Sequence, residues 1–155
     1  MKIAVSSDHR GKNRVKSIIS MINEISEFMV GEDHIEVLDY SPTTDESVDY
    51  PDYAAKVAKI VSAGHVDQGI LVCGSGIGMS IAANKFKNVR AALVYDKNSA
   101  TMCRKHNNAN VLCMGADTMD EDLALRLVQI FLETKFEGDR HQRRVDKINE
   151  MGAMP

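Results

Sequence analysis

An open α/β sandwich, with helices on both faces of a five-stranded parallel sheet, is the fold class this sequence predicts, and three observations predict it. Short runs rich in β-branched residues alternate with longer segments of helical period. Those runs lack the polar/apolar alternation of a half-exposed strand, so both of their faces must be covered. The 155 residues, 44% hydrophobic and 26% charged, suit one domain spanning 1–155. A chain of that length buries about 68–70% of the surface it exposes when unfolded, and folds without disulfides or a structural metal.

Each element follows from its pattern. Ile3–Val5 is a buried strand. Val15, Ile18, Ile19, Ile22, Ile25 and Met29 recur at three- and four-residue spacing, an amphipathic helix that leaves Lys12, Arg14, Lys16, Glu24 and Glu27 to solvent. Ile35–Leu38 is the second strand, and residues 41–49 form a loop. A helix over Tyr53–Val61 leads to the third strand, Gly69–Cys73, and a glycine-rich turn opens a helix that runs to about Asn84. Ala91–Val94 and Asn110–Met114 complete the strands, with a helix over Ser99–His106 between them. The Asp120–Glu133 helix puts Leu123, Leu127, Val128 and Phe131 on one face, and Thr118-Met119-Asp120-Glu121 at its start resembles a capping box. In such a three-layer, Rossmann-like sandwich ligands bind at the carboxyl ends of the strands. The informative residues are then Ser6–Arg10, Asp39-Tyr40, Cys73–Gly78, Tyr95-Asp96 and Gly115.

Composition excludes several classes. A net charge of -3 argues against a nucleic-acid or anionic-membrane partner, and 5% aromatics with no Trp argue against a base-stacking platform. The acids concentrate: residues 31–52 hold eight and no Lys or Arg, whereas Asp8–Lys16 carries four bases against one acid and Asp139–Lys147 four against two. An acidic surface around a small cationic pocket is the expectation. The longest apolar stretch, Gly69–Ala83, is interrupted by Gly74, Gly76 and Gly78, too short and broken to span a membrane. Cys73, Cys103 and Cys113 are odd in number and form no C-x-x-C pair, which fits a reducing, cytoplasmic setting.

The strongest local signal is Cys73-Gly74-Ser75-Gly76-Ile77-Gly78-Met79-Ser80. Its exposed backbone amides and following helix N-terminus suit an anion, though the same glycines also serve a tight strand–helix turn that needs only close packing. It lacks the third glycine of a dinucleotide fingerprint, the Lys of a P-loop and the Arg of a phosphatase loop. Cys73 ends the strand where those amides favour a thiolate, as nucleophile or base; a packed, inert thiol is the plainer reading, and the one given to Cys103 and Cys113. Asp8-His9-Arg10 places three ionisable groups at the binding edge, with Asp8 equally suited to capping the first helix. His106 follows a helix C-terminus, which favours a protonated imidazole. Arg140 and Arg144 lie four apart on one helical face, an anion clamp or a solvated basic helix. No His/Asp/Glu set has metal-ligand spacing, so no metal is expected.

Taken together, Ser7-Asp8-His9-Arg10-Gly11, Asp49–Ala54, Gly69–Lys85, His106–Val111 and Arg140–Val145 resemble the ribose-5-phosphate isomerase B family, in the group that also holds galactose-6-phosphate isomerase subunits. The resemblance runs nearly end to end. It implies interconversion of D-ribose 5-phosphate and D-ribulose 5-phosphate through an enediolate, with no metal or organic cofactor. It makes Cys73 the base and His106 the acid/base that opens the furanose ring. Ser75 and the amides of Gly74, Ser75, Gly76, Ile77 and Gly78 become the anion hole. Phosphate and sugar contacts fall on His9, Arg140 and Arg144, with Asp8, Tyr50 and Asn107 on hydroxyls. A homodimer with sites at its interface is implied, pairing into tetramers being open. Three features depart from the family pattern: Asp117 stands where many relatives have Arg, Ser75 replaces a common Thr, and the segment from Met29 to Asp39 is longer than usual. Asp117 leaves a hexose 6-phosphate such as allose 6-phosphate as an alternative substrate, and a non-catalytic sugar-phosphate sensor is the alternative of a different class.

Overall fold

Runs with no obligatory polar position become strands wherever helices can cover them, and five such runs line up here. The computed structural model describes residues 1–27 and 34–151. Along the chain lie β1 (Lys2–Ser7), α1 (Lys12–Glu27), β2 (Glu36–Asp39), α2 (Tyr50–Ser62), β3 (Gln68–Cys73), α3 (Ile77–Ala83), β4 (Ala91–Leu93), α4 (Lys97–Asn107), β5 (Val111–Gly115), α5 (Glu121–Glu133) and α6 (Asp139–Met151). All strand pairs are parallel, in the order β2-β1-β3-β5-β4. The two-residue pleat sends Ile3, Val5, Ile70, Val72, Leu112 and Met114 into one layer with Val15, Ile18 and Ile22 of α1, Cys103 of α4 and Phe131 of α5. Ala4, Leu71, Cys73, Val111 and Cys113 go into the other with α2 and α3. Two apolar layers on one sheet make the three-layer sandwich that the run pattern predicts.

The strand order reverses between β1 and β3, and the chain ends leaving these strands form a crevice at the carboxyl edge. Ser7 pairs with Val72 there, and the Asp8 amide donates to the Val72 carbonyl at 3.2 Å, so Asp8 and His9 emerge beside Cys73.

Boundaries shift for local reasons. α2 begins at Tyr50 rather than Tyr53: Asp49 before it is extended, and Pro51, tolerated in a first turn, sits inside it. α4 begins at Lys97 because Asp96 is its cap: the Asp96 carboxylate accepts from the Ser99 amide at 2.7 Å, and Ser99 Oγ closes a reciprocal capping box. Before α5 the expectation needs correction, since Asp120, not Thr118, caps the helix by accepting from the Leu123 amide at 2.8 Å. Thr118 Oγ1 instead donates to the Gly115 carbonyl. Met29, the last position of the predicted α1 stripe, lies outside the described residues. Among the described residues no helix is long and apolar enough to cross a membrane.

Candidate active site

At the carboxyl edge β3 delivers Cys73, 5% exposed, and the chain curls back so that the Gly76 amide donates to Cys73 Sγ at 3.2 Å. That curl requires glycine. Gly76 has φ +76°, and a Cβ on it would stand 2.7 Å from the Met114 carbonyl carbon and from Leu93 Cδ1. Burial pushes the Cys103 thiol up to about 11 and the fully buried Cys113 thiol higher still. Ser75 is exposed at the mouth of the turn, its Oγ accepting from the Ile77 amide at 3.3 Å. The Tyr50 ring lies against Gly78, where an added Cβ would be 2.5 Å from it.

Asp8 and His9 stand on the neighbouring loop. Asp8 Oδ1 accepts from the Arg10 and Gly11 amides at 2.9 and 3.1 Å, holding the entry to α1. His9 Nδ1 accepts from the Val48 amide at 3.2 Å, which leaves the neutral ring its proton on Nε2, available to an anion. The expected cationic pocket needs correction here, because most of the local bases are spent. Arg10 Nε and Nη2 bind Asp117 Oδ2 at 2.8 and 2.5 Å, directly over Gly74. Lys12 pairs with Asp45, and Arg14 donates to the Met119 and Asp120 carbonyls just ahead of α5.

The remaining predicted residues are elsewhere. In a parallel sheet the helices run back, so α4 starts at the carboxyl edge and ends at the amino edge. At 1.5 Å per residue His106 is about 14 Å below the edge that carries Cys73. Asn108 ends the helix in the left-handed region at φ 46°. The Glu137 amide donates to the Lys105 carbonyl at 3.1 Å, anchoring the start of α6 beside His106. Arg140 and Arg144 are therefore with His106 and Asn107, exposed on α6, and not with the glycine turn. One chain holds two candidate half-sites: Asp8, His9, Tyr50, Cys73 and the turn at one edge; His106, Asn107, Arg140 and Arg144 at the other.

Two residues of the second half-site escaped sequence reasoning. His141 lies flat on His106, ring centroids 4.2 Å apart and planes 8° from parallel, and Glu137 Oε2 faces both rings. The i,i+4 step from Glu137 to His141 was the available signal. These three also form a His/Glu set within 4.8 Å, which the spacing of single residues did not disclose.

The fold is that of an open α/β sandwich protein whose carboxyl-edge crevice holds a strand-end thiol and no nucleotide loop. The chain belongs to the ribose/galactose isomerase family, whose model matches residues 3–148. It is 42% identical over 147 residues to ribose-5-phosphate isomerase B of Escherichia coli, covering 95% of this chain and 93% of that one. Among solved structures, ribose-5-phosphate isomerase B of Clostridium thermocellum superposes with a TM-score of 0.91 at 42% identity, covering 99% and 98% of the two chains. The Mycoplasma genitalium enzyme, solved with bound ribulose 5-phosphate, gives 0.91 at 38% identity over 99% and 97%.

Proposed function

We propose that this chain is an aldose–ketose isomerase interconverting D-ribose 5-phosphate and D-ribulose 5-phosphate through an enediolate. The observation that carries the reading is Cys73 Sγ at a strand end, held by the Gly76 amide beside exposed Ser75. His106 protonates the furanose ring oxygen and accepts the proton of the anomeric hydroxyl, which opens the ring. The Cys73 thiolate takes the proton from C2 and returns it to C1. Ser75 and the turn amides stabilise the oxyanion as it forms. Arg140, Arg144 and His9 hold the phosphate, while Asp8, Tyr50 and Asn107 hold hydroxyls. A positioned acid–base pair contributes about 10²- to 10⁴-fold, and preorganised donors add a comparable factor.

The separation of Cys73 from His106 within one chain requires a second copy, which we place in a homodimer whose sites are each built from the carboxyl edge of one chain and the amino edge of the other. Ile77, Ile81 and Tyr95, exposed by 52%, 58% and 64% around the thiol, give that partner an apolar surface to cover. Three free, unpaired cysteines suit the cytoplasm. Asp117, the residue that suggested a hexose phosphate, is neutralised by Arg10 and gives the longer sugar no free carboxylate. The test is turnover of ribose, allose and galactose phosphates by the wild type and Cys73→Ala. Ribose 5-phosphate should be preferred and the variant inactive; an active variant rejects Cys73 as the base.

A further inference from the structure

His141 is 4% exposed, and neither of its ring nitrogens has a hydrogen-bond partner. Such a group demands a reason, since a buried polar atom without a partner is destabilising. Its Nε2 is 3.6 Å from Glu137 Oε2, and His106 Nε2 is 3.8 Å from the same oxygen. Glu137 Oε1 pairs with Lys105 Nζ at 3.2 Å. A shared metal ion does not explain the cluster. Imidazole lone pairs lie in the ring plane, and two rings 8° from parallel and 4.2 Å apart aim past any common point.

We infer that Glu137 and His141 are positioning residues for His106. Glu137 balances the charge of the His106 imidazolium during ring opening, and His141 is the fixed, neutral surface against which that ring lies. This rests on the isomerase reading above. Two protonated rings in a stack repel each other, and the groups around His141 disfavour its charge. Burial, then His106, Arg140 and Arg144, hold His141 below the ordinary histidine range, with Glu137 opposing. Lys105, foremost by its hydrogen bond, keeps the Glu137 carboxyl below the usual carboxylate range, with His106 and His141 adding to it. Lys105 and His106 from α4, Arg140, Arg144 and His141 from α6, and Glu137 before it are the charged and titratable groups of the cluster. Of the two rings, His106 is the one open to substrate, its side chain 40% exposed against 5% for His141.

The test separates ring opening from enolisation. Ribulose 5-phosphate has no free C5 hydroxyl and is open-chain, so exchange of its C1 proton with D2O needs only the Cys73 step. Intact homodimers of wild type, Glu137→Gln, Glu137→Asp and His141→Gln are compared, by turnover of ribose 5-phosphate and by NMR of C1 exchange. Glu137 is 42% exposed, so its variants fold, and thermal melting checks His141→Gln. Glu137→Gln should lose about tenfold or more in kcat for ribose 5-phosphate. Its KM and C1 exchange rate should stay within about twofold of wild type. Glu137→Asp should recover part of the loss. Equal loss in both reactions, a change in KM alone, or no loss overturns the inference. A wild type without either reaction overturns the isomerase reading beneath it.

Discussion

Replacing Gly76 with alanine tests whether the turn at Cys73 is built as described. Two costs follow from the structure. A non-glycine residue at φ +76° incurs about 1 kcal/mol of backbone strain. The new Cβ also meets Leu93 Cδ1 and the Met114 carbonyl carbon at 2.7 Å and Met114 Cα at 2.9 Å. Leu93 can rotate, but the Met114 backbone belongs to β5 and cannot move without its strand, so overpacking adds about 1–3 kcal/mol. Gly64→Ala is the matched control, with φ +71° and no atom within 4 Å of the added carbon. It carries the strain and the same unfolded-state entropy change but no clash. In a chain of this size 1 kcal/mol is about 2–4 °C in melting temperature, so Gly76→Ala should melt about 5–15 °C below wild type and Gly64→Ala within about 4 °C. Isomerase activity should fall in the first and persist in the second, because Gly76, unlike Gly64, donates to the Cys73 sulfur. Equal melting temperatures for the two variants would refute the reasoning.

Other consequences are as direct. Asp96→Ala removes the α4 capping box and should cost about 1 kcal/mol in denaturant unfolding, with Asp96→Ser losing little. Phe131→Ala empties the centre of the larger core and should cost about 3–5 kcal/mol, leaving the KM of whatever folds unchanged. Alkylation at neutral pH followed by peptide mass mapping should label Cys73 alone and be blocked by substrate, since burial holds the Cys103 thiol near 11 and Cys113 higher. His141 binds its proton less readily folded than unfolded, so the unfolded chain takes up more protons as pH falls below the ordinary histidine value of 6.5. The native state should therefore lose stability through that window, and His141→Gln should flatten the slope.

Most of the fold and the first half-site were legible because each depends on local sequence. Apolar runs such as Gly69–Cys73 give buried strands whatever lies around them, and a thiol at a strand end followed by alternating glycines marks the crevice before any contact is known. Helix starts were less legible, since Asp96 and Asp120 set two of them through single capping hydrogen bonds that propensity blurs. Charge was misread for a spatial reason. Arg10 and Lys12 look free in sequence, yet their partners Asp117 and Asp45 are 107 and 33 residues away. The division into two half-sites was also hidden, because it follows from which end of α4 meets which edge of the sheet. Glu137 and His141 acquire a role only once α6 folds against α4.

If each active site joins Cys73 of one chain to His106 of another, mixing subunits will restore activity. Cys73→Ala and His106→Asn are each inactive alone and are co-refolded in equal amounts. Half of the dimers are then mixed, and each mixed dimer carries one site with both residues intact, so the account predicts recovery to about a quarter of wild-type activity. If Cys73 and His106 served the same site from the same chain, no mixed dimer would hold an intact site, and a mixture as inactive as its parents would contradict the account.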